Sequence, residues 1–175
     1  MRIKGKTVLV TGASQGLGAA IAKDLAEAGC NVYINCAHRM SKAQAVADEI
    51  TESGGQASII RCDVSSAESV THMFDALREN GLDILINNAR VDPYQRPPEV
   101  DDASWFDRVM GVNLKGAYLC SLAALDLMKP KRWGRIVNIS SVWAYRPASR
   151  AMLEYAMSKA GMHSLTRSLA CLAAP

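Results

Sequence analysis

Five short β-rich runs, spaced at helix-length intervals, set the tightest limit on how this chain can fold: TVLV at 7–10, NVYIN at 31–35, ASIIRC at 57–62, DILIN at 83–87 and RIVNIS at 135–140. The runs show little alternation of apolar and polar residues, which is how strands covered on both faces read. The intervals carry helical periodicity. Leu17, Ile21, Leu25 and Ala28 recur every three or four residues, and Gly29 follows as a C-terminal stop. Ser41 sits ahead of a second run carrying Val46 and Ile50 that ends at Gly54 and Gly55, and Ser66 precedes a third with Val70, Phe74 and Leu77 on one face and Gly81 beyond it. Longer helices are predicted over about 102–129 and about 152–172. Strand and helix alternating in this way specify right-handed crossovers and an α/β fold: a doubly wound parallel sheet with helices on both faces. The segment VDPYQRPPEVDD at 91–102, with three prolines and four acids, is a loop.

A chain of 175 residues, 49% hydrophobic and 21% charged, belongs with soluble globular proteins and can bury one sizeable core, so one domain over 1–175 is expected. Its formal charge of +3 is spread along the chain, whereas a nucleic-acid footprint calls for clustered cations. The five cysteines include no CxxC pair, and an odd number fits a reduced compartment better than a disulfide framework. His38, His72 and His163 stand apart from any ligand spacing, so no metal is expected. The apolar run near the N-terminus is too short for a signal peptide. The most apolar helix carries Lys115 and Asp126 and falls short of the roughly 20 apolar residues that span a bilayer. The cytoplasm is therefore the default location.

Between the first strand and the first helix stands TGASQGLG, at 11–18. There Gly12 allows a tight turn off the strand, Gly16 lets the backbone approach a pyrophosphate, and Gly18 keeps the helix close to the sheet. The amides of Ser14, Gln15, Leu17 and their glycine neighbours at the helix start can receive an anion. A bare structural turn also satisfies this motif; its strand-turn-helix setting favours a dinucleotide. Where the second strand ends, an acid would bond the ribose hydroxyls of NAD, but the chain reads Asn35, Cys36, Ala37, His38, Arg39. Arg39 can pair with a 2′-phosphate, which favours NADP(H) and leaves NAD(H) possible. It can equally be a solvated loop charge.

Tyr155 and Lys159, four apart in YAMSK, share one helix face. Ser140 and Ser141 end the fifth strand a short loop earlier, and strand C-termini are where doubly wound sheets place ligands. A ketone that accepts hydride must be protonated on oxygen, and a phenol can supply the proton. A phenol ordinarily titrates near 10, so this work at neutral pH calls for roughly 4 kcal/mol of preferential phenolate stabilisation. A lysine ammonium and a positive nicotinamide ring are a source of it, and a serine hydroxyl can hold the carbonyl oxygen.

The ordered set of TGASQGLG, Asp63 in CDVS, NNA at 87–89, Asn113 in VNLKG, the serines of NISS, and YAMSK resembles the classical short-chain dehydrogenase/reductase family. Its similarity is greatest to the 3-oxoacyl-carrier-protein reductases and related sugar or steroid alcohol dehydrogenases, and it covers essentially the whole chain. The resemblance implies a Rossmann-type fold. It implies that Asp63 and Val64 flank the adenine, that Asn88 and Ala89 line the adenine and ribose region, and that Asn113 interrupts a helix and holds a water leading to the lysine. It also implies Ser141 as the catalytic serine, Tyr155 as acid or base, and Lys159 as partner of both the phenolate and the nicotinamide ribose. Homodimers or homotetramers built through the two long helices are expected, with a small carbonyl or alcohol as substrate.

Three departures from the family stand out. Arg90 follows NNA where glycine is usual, and it either crowds the cofactor or is tolerated at an ordinary dihedral. Trp143, Tyr145 and Met152 occupy the loop after the serines, where they line a substrate pocket or simply pack together. The family's last strands would follow SLACLAAP, and a sheet ending at the fifth strand would leave an unpaired edge and an underpacked helix face. A non-catalytic nucleotide-binding or partner-binding protein is the alternative reading.

Overall fold

The computed structural model describes residues 3–174. Five parallel strands, β1 (Thr7–Val10), β2 (Asn31–Cys36), β3 (Gln56–Arg61), β4 (Ile84–Asn87) and β5 (Arg135–Asn138), form one sheet in the order β3-β2-β1-β4-β5. Around it lie α1 (Gly16–Glu27), α2 (Met40–Glu52), α3 (Ala67–Leu77), α4 (Asp102–Met110), α5 (Gly116–Met128) and α6 (Leu153–Ala173). The expected fold class is therefore present, with strand bounds shifted by a residue or two.

The apolar runs of β1, β2 and β4 read as continuous because these strands feed two cores, whereas at the sheet edge Val137 of β5 is 44% exposed. Val8 and Val10 of β1, with Ile84 and Ile86 of β4, face α1 and α2 through Ala22, Ala26, Val46 and Ile50. Leu9 and Leu85 point the other way, toward Met73, Phe74 and Leu77 of α3 and Cys120 and Ala124 of α5. Successive side chains on a strand alternate faces, so both sets must be apolar where both faces are covered. Each fully buried leucine accounts for about 2–5 kcal/mol when cut to alanine.

Two helical expectations need correction. Ser41 does not sit ahead of α2; it lies within the first turn, and Arg39 is the residue at the boundary. The single helix expected over 102–129 is two, α4 and α5, joined by a π turn at Gly111–Lys115. There Gly116 approaches the end of β3 so closely that a Cβ on it would stand 2.8 Å from Val64 Cγ2. An i→i+5 turn absorbs an extra residue and lets the helix continue past the contact. Beside β5, between the ends of α5 and α6, runs an open groove of about 660 Å³ lined in part by Trp133, Ile136 and Leu169.

Because the order reverses at β1, the connections leaving β1 and β4 diverge. The crevice above their carboxyl ends is where such sheets bind ligands.

Candidate active site

A cleft of about 620 Å³ opens at that reversal point. Its walls include every residue expected to hold a nucleotide: Gly12, Ser14, Gln15, Gly16, Leu17, Gly18, Arg39, Asp63, Val64, Asn88, Ala89, Tyr155 and Lys159. Asn113 and Ser141, expected in catalysis, are not on the wall, and neither are Trp143, Tyr145 and Met152. Met152 is buried, and Tyr145 stands 81% exposed with its ring 4.7 Å from that of His163.

The glycine turn has distinct reasons for its residues. Gly12 has φ +64°, and a Cβ there would stand 2.8 Å from Ala89 Cα. At Gly18 a Cβ would collide with Asn88 Nδ2, so this glycine lets α1 close on the loop after β4. Gly16, with φ +57°, has nothing within 4 Å of a built Cβ, so its missing side chain leaves open space in the cleft. The helix starts at Gln15 with no side-chain cap. First-turn amides are unpaired within any helix, and here they border space that a pyrophosphate can fill. The residues present thus fit a dinucleotide.

Two side chains that sequence reasoning did not single out brace this turn. Asn35, 1% exposed, accepts a hydrogen bond from Gly12 N at 3.2 Å and donates to the carbonyls of Ile60 and Cys62. Thr11 Oγ1 accepts from the amides of Asn88 and Ala89, both at 3.0 Å. Asn88 Nδ2 returns bonds to the carbonyls of Thr11 and Gly12 at 2.9 and 3.1 Å. A polar residue closing an apolar strand beside the glycine turn was the available signal for Asn35. Asp63 Oδ1 accepts from Ser65 N and Oγ, holding the loop after β3. Arg39 is exposed on the wall.

At the other end, Lys159 is 1% exposed and its ammonium donates to Ile139 O at 2.7 Å. Burial, with the Arg90 charge adding to it, pulls the Lys159 ammonium down to about 8. Its nitrogen lies 5.6 Å from the centre of the Tyr155 ring. Asn113, fully buried in the π turn, accepts from Val91 N at 2.7 Å and donates to Ser158 Oγ at 3.2 Å. Ser158 Oγ donates in turn to Tyr155 O at 2.7 Å. Asn113 thereby joins the loop after β4 to the turn of α6 that carries Tyr155.

The two serines diverge. Ser140 Oγ lies 2.7 Å from His163 Nε2 and donates to Lys159 O at 3.3 Å. Ser141 Oγ accepts from Trp143 N at 3.3 Å, and no acceptor for its own hydrogen is described. Arg90 stands on the wall without backbone strain, since Arg132 is the one non-glycine residue with positive φ among the described residues.

A doubly wound parallel sheet with a glycine turn and a tyrosine-lysine pair on one cleft defines a Rossmann-type fold of the dehydrogenase class. Residues 6–175 match the family model described as short chain dehydrogenase. The chain is 37% identical over 178 aligned positions to the 3-oxoacyl-[acyl-carrier-protein] reductase FabG of Aquifex aeolicus, covering 100% of this chain and 71% of that protein. It is 39% identical over 171 positions to 3beta-hydroxysteroid dehydrogenase 1 of Eggerthella lenta, covering 96% and 65%. A metagenomic short-chain oxidoreductase solved in complex with NADP superposes with a TM-score of 0.88 at 33% identity, covering 97% of this chain and 77% of that one. The chain belongs to the short-chain dehydrogenase/reductase family of oxidoreductases. It spans 65% to 71% of the length of these two curated relatives.

Proposed function

We propose that this chain is the nucleotide-binding and catalytic part of an NAD(P)-dependent oxidoreductase acting on a small carbonyl compound or secondary alcohol. The observation that carries this reading is one cleft whose walls hold both the glycine turn and the Tyr155 and Lys159 pair. When bound, the nicotinamide gives or takes the hydride. Tyr155 exchanges the proton with the substrate oxygen, and the Lys159 ammonium favours its phenolate form. Ser141, the neighbour of the cleft-lining Ser140, is assigned to hold the substrate oxygen, a role supported by its free hydrogen and by the engagement of Ser140 with α6. Asn113 serves as a positioning residue for the helix turn of Tyr155, a role supported by its bond to Ser158.

Gly12, Gly16 and Gly18 give the pyrophosphate its approach, Ser14, Gln15 and Leu17 line it, and Asp63, Val64, Asn88 and Ala89 flank the adenosine. Arg39 makes NADP(H) the favoured cofactor over NAD(H), since a guanidinium pairs with a 2′-phosphate and no acid replaces it on that wall position. Residues 1–175 are read as one domain, located in the cytoplasm, that pairs with a second copy through α4, α5 and α6. Exposed Phe106, Tyr118 and Leu172 on those helices support the pairing. The non-catalytic alternative is not favoured, because Arg90 fits without strain and the full catalytic set is retained.

The test is a titration of the chain with NADPH and then NADH, followed by nucleotide fluorescence, and then by turnover of generic ketones and diketones. Saturable binding with NADPH preferred supports the reading. Absence of binding to either nucleotide at millimolar concentration refutes it for this chain.

A further inference from the structure

Arg90 holds a place in the cleft that the proposed roles leave unexplained. It follows Ala89, which packs on Gly12, and it shares the wall with Gly16, Tyr155 and Lys159. It therefore borders the same cleft as the glycine turn and the catalytic pair. A guanidinium carries five N–H donors. Among the described residues, the Arg90 side chain meets one acceptor, Asp92 Oδ2, at 3.4 Å, which is long for a charge-assisted bond. The other oxygen of that carboxylate accepts from Tyr94 N at 3.0 Å. Arg90 is also 48% exposed and lines the cleft, so its remaining donors are open to solvent or ligand.

Its charge adds to burial in destabilising the Lys159 ammonium. Two cations on one wall disfavour each other, and an anion between them would offset that repulsion. We propose that Arg90 is an oxyanion-recognition residue of the catalytic half of the cleft, placed to take the paired oxygens of a phosphate or carboxylate lying between the glycine turn and Tyr155. Rigid fork geometry suits arginine to that task. The oxyanion has two sources on the proposed function, on which this inference rests: the nicotinamide-side phosphate of the dinucleotide, or an acidic group on the substrate.

The experiment compares the wild-type chain with Arg90→Gln and Arg90→Lys, each checked for folding by circular dichroism. NADPH, NADH and 2′,5′-ADP are titrated, and acetoacetate and neutral acetone are then titrated onto the NADPH complex. If the dinucleotide is the source, Arg90→Gln weakens NADPH and NADH alike by about tenfold and leaves 2′,5′-ADP unchanged, because that fragment ends before the second phosphate. If the substrate is the source, nucleotide affinities hold and acetoacetate binding falls by about tenfold while acetone is unaffected. Arg90→Lys loses less in either case.

Unchanged or tighter binding of all these ligands by Arg90→Gln overturns the proposal and makes Arg90 an obstruction or a bystander. If the wild-type chain binds no nucleotide, it is the dinucleotide reading that fails. Arg90 is then decided by inorganic pyrophosphate and acetoacetate on the nucleotide-free chain: weaker binding in Arg90→Gln supports it, and equal binding or none refutes it.

Discussion

The Lys159 ammonium is tied to the carbonyl oxygen of Ile139 at 2.7 Å, across the gap between α6 and the end of β5. This bond fixes the lysine beside the Tyr155 ring, but it does so at a buried position where a charge is costly.

A pH dependence of stability follows from that burial. The unfolded lysine keeps its proton to about 10.5, whereas burial and Arg90 lower the folded value to about 8. Between those limits the unfolded lysine binds more protons than the folded one, so the contribution of Lys159 rises with pH, while the raised thiols of Cys30, Cys36, Cys62 and Cys120 take stability away above about 9. The burden is fully present below about 8 and is relieved by roughly 3 kcal/mol by pH 10.5. Urea unfolding of the wild type and of Lys159→Met at intervals from pH 7 to 10.5 measures it as the difference between the two chains. The Lys159→Met variant is expected to lose this rise, and a variant that retains it would place the titration elsewhere.

The serines are separable by kinetics and melting. Ser141→Ala is expected to lower kcat for ketone reduction by about a hundredfold with little change in Tm, because its hydroxyl makes one long bond. Ser140→Ala removes the contacts to His163 and Lys159 and is expected to cost about 1 kcal/mol of stability. If Ser140→Ala shows the larger kcat loss at an unchanged Tm, the two roles are exchanged.

Nucleotide choice is read at Arg39. Arg39→Gln is expected to weaken NADPH about tenfold or more and to leave NADH within about twofold, since the exposed side chain carries no helix cap. Fluorescence titration of both nucleotides gives the ratio. Equal weakening of both would mean that Arg39 acts on something other than the 2′-phosphate.

Gly16 and Gly18 are expected to fail in different ways when given side chains. Gly16→Val strains a backbone at φ +57° by about 1–2 kcal/mol and fills the cleft, so nucleotide binding is lost from a chain that still folds. Gly18→Val drives Cβ into Asn88 Nδ2 and Gly12 O, so the melting temperature falls first. Thermal melts beside NADPH titrations separate the two.

Asn35 offers a test of the turn itself. Asn35→Leu strands Gly12 N and the carbonyls of Ile60 and Cys62, and a loss of about 1–3 kcal/mol with weaker nucleotide binding is expected. Urea unfolding and NADPH titration measure both. An undiminished nucleotide affinity would show that the turn holds its shape without this brace.

Local sequence determined the sheet, the glycine turn and the spacing of Tyr155 and Lys159. Those features depend on periods of two and 3.6 residues, on dihedrals open to glycine, and on neighbours within one helix turn, all of which a short window contains. A helix interruption at Asn113 was expected only from the family resemblance; its form as a π turn at 111–115 was not legible, since the packing of Gly116 on Val64 beside it joins distant segments. For the same reason the partner of each serine was hidden: Ser140 meets His163 from another element, and strand alternation alone says nothing of which helix will lie there. Arg90 was visible only as a departure from a motif. Its ordinary dihedral, its sparse contacts and its nearness to Lys159 were decided by the tertiary structure, since burial and charge interactions depend on distances through space that residue order does not encode.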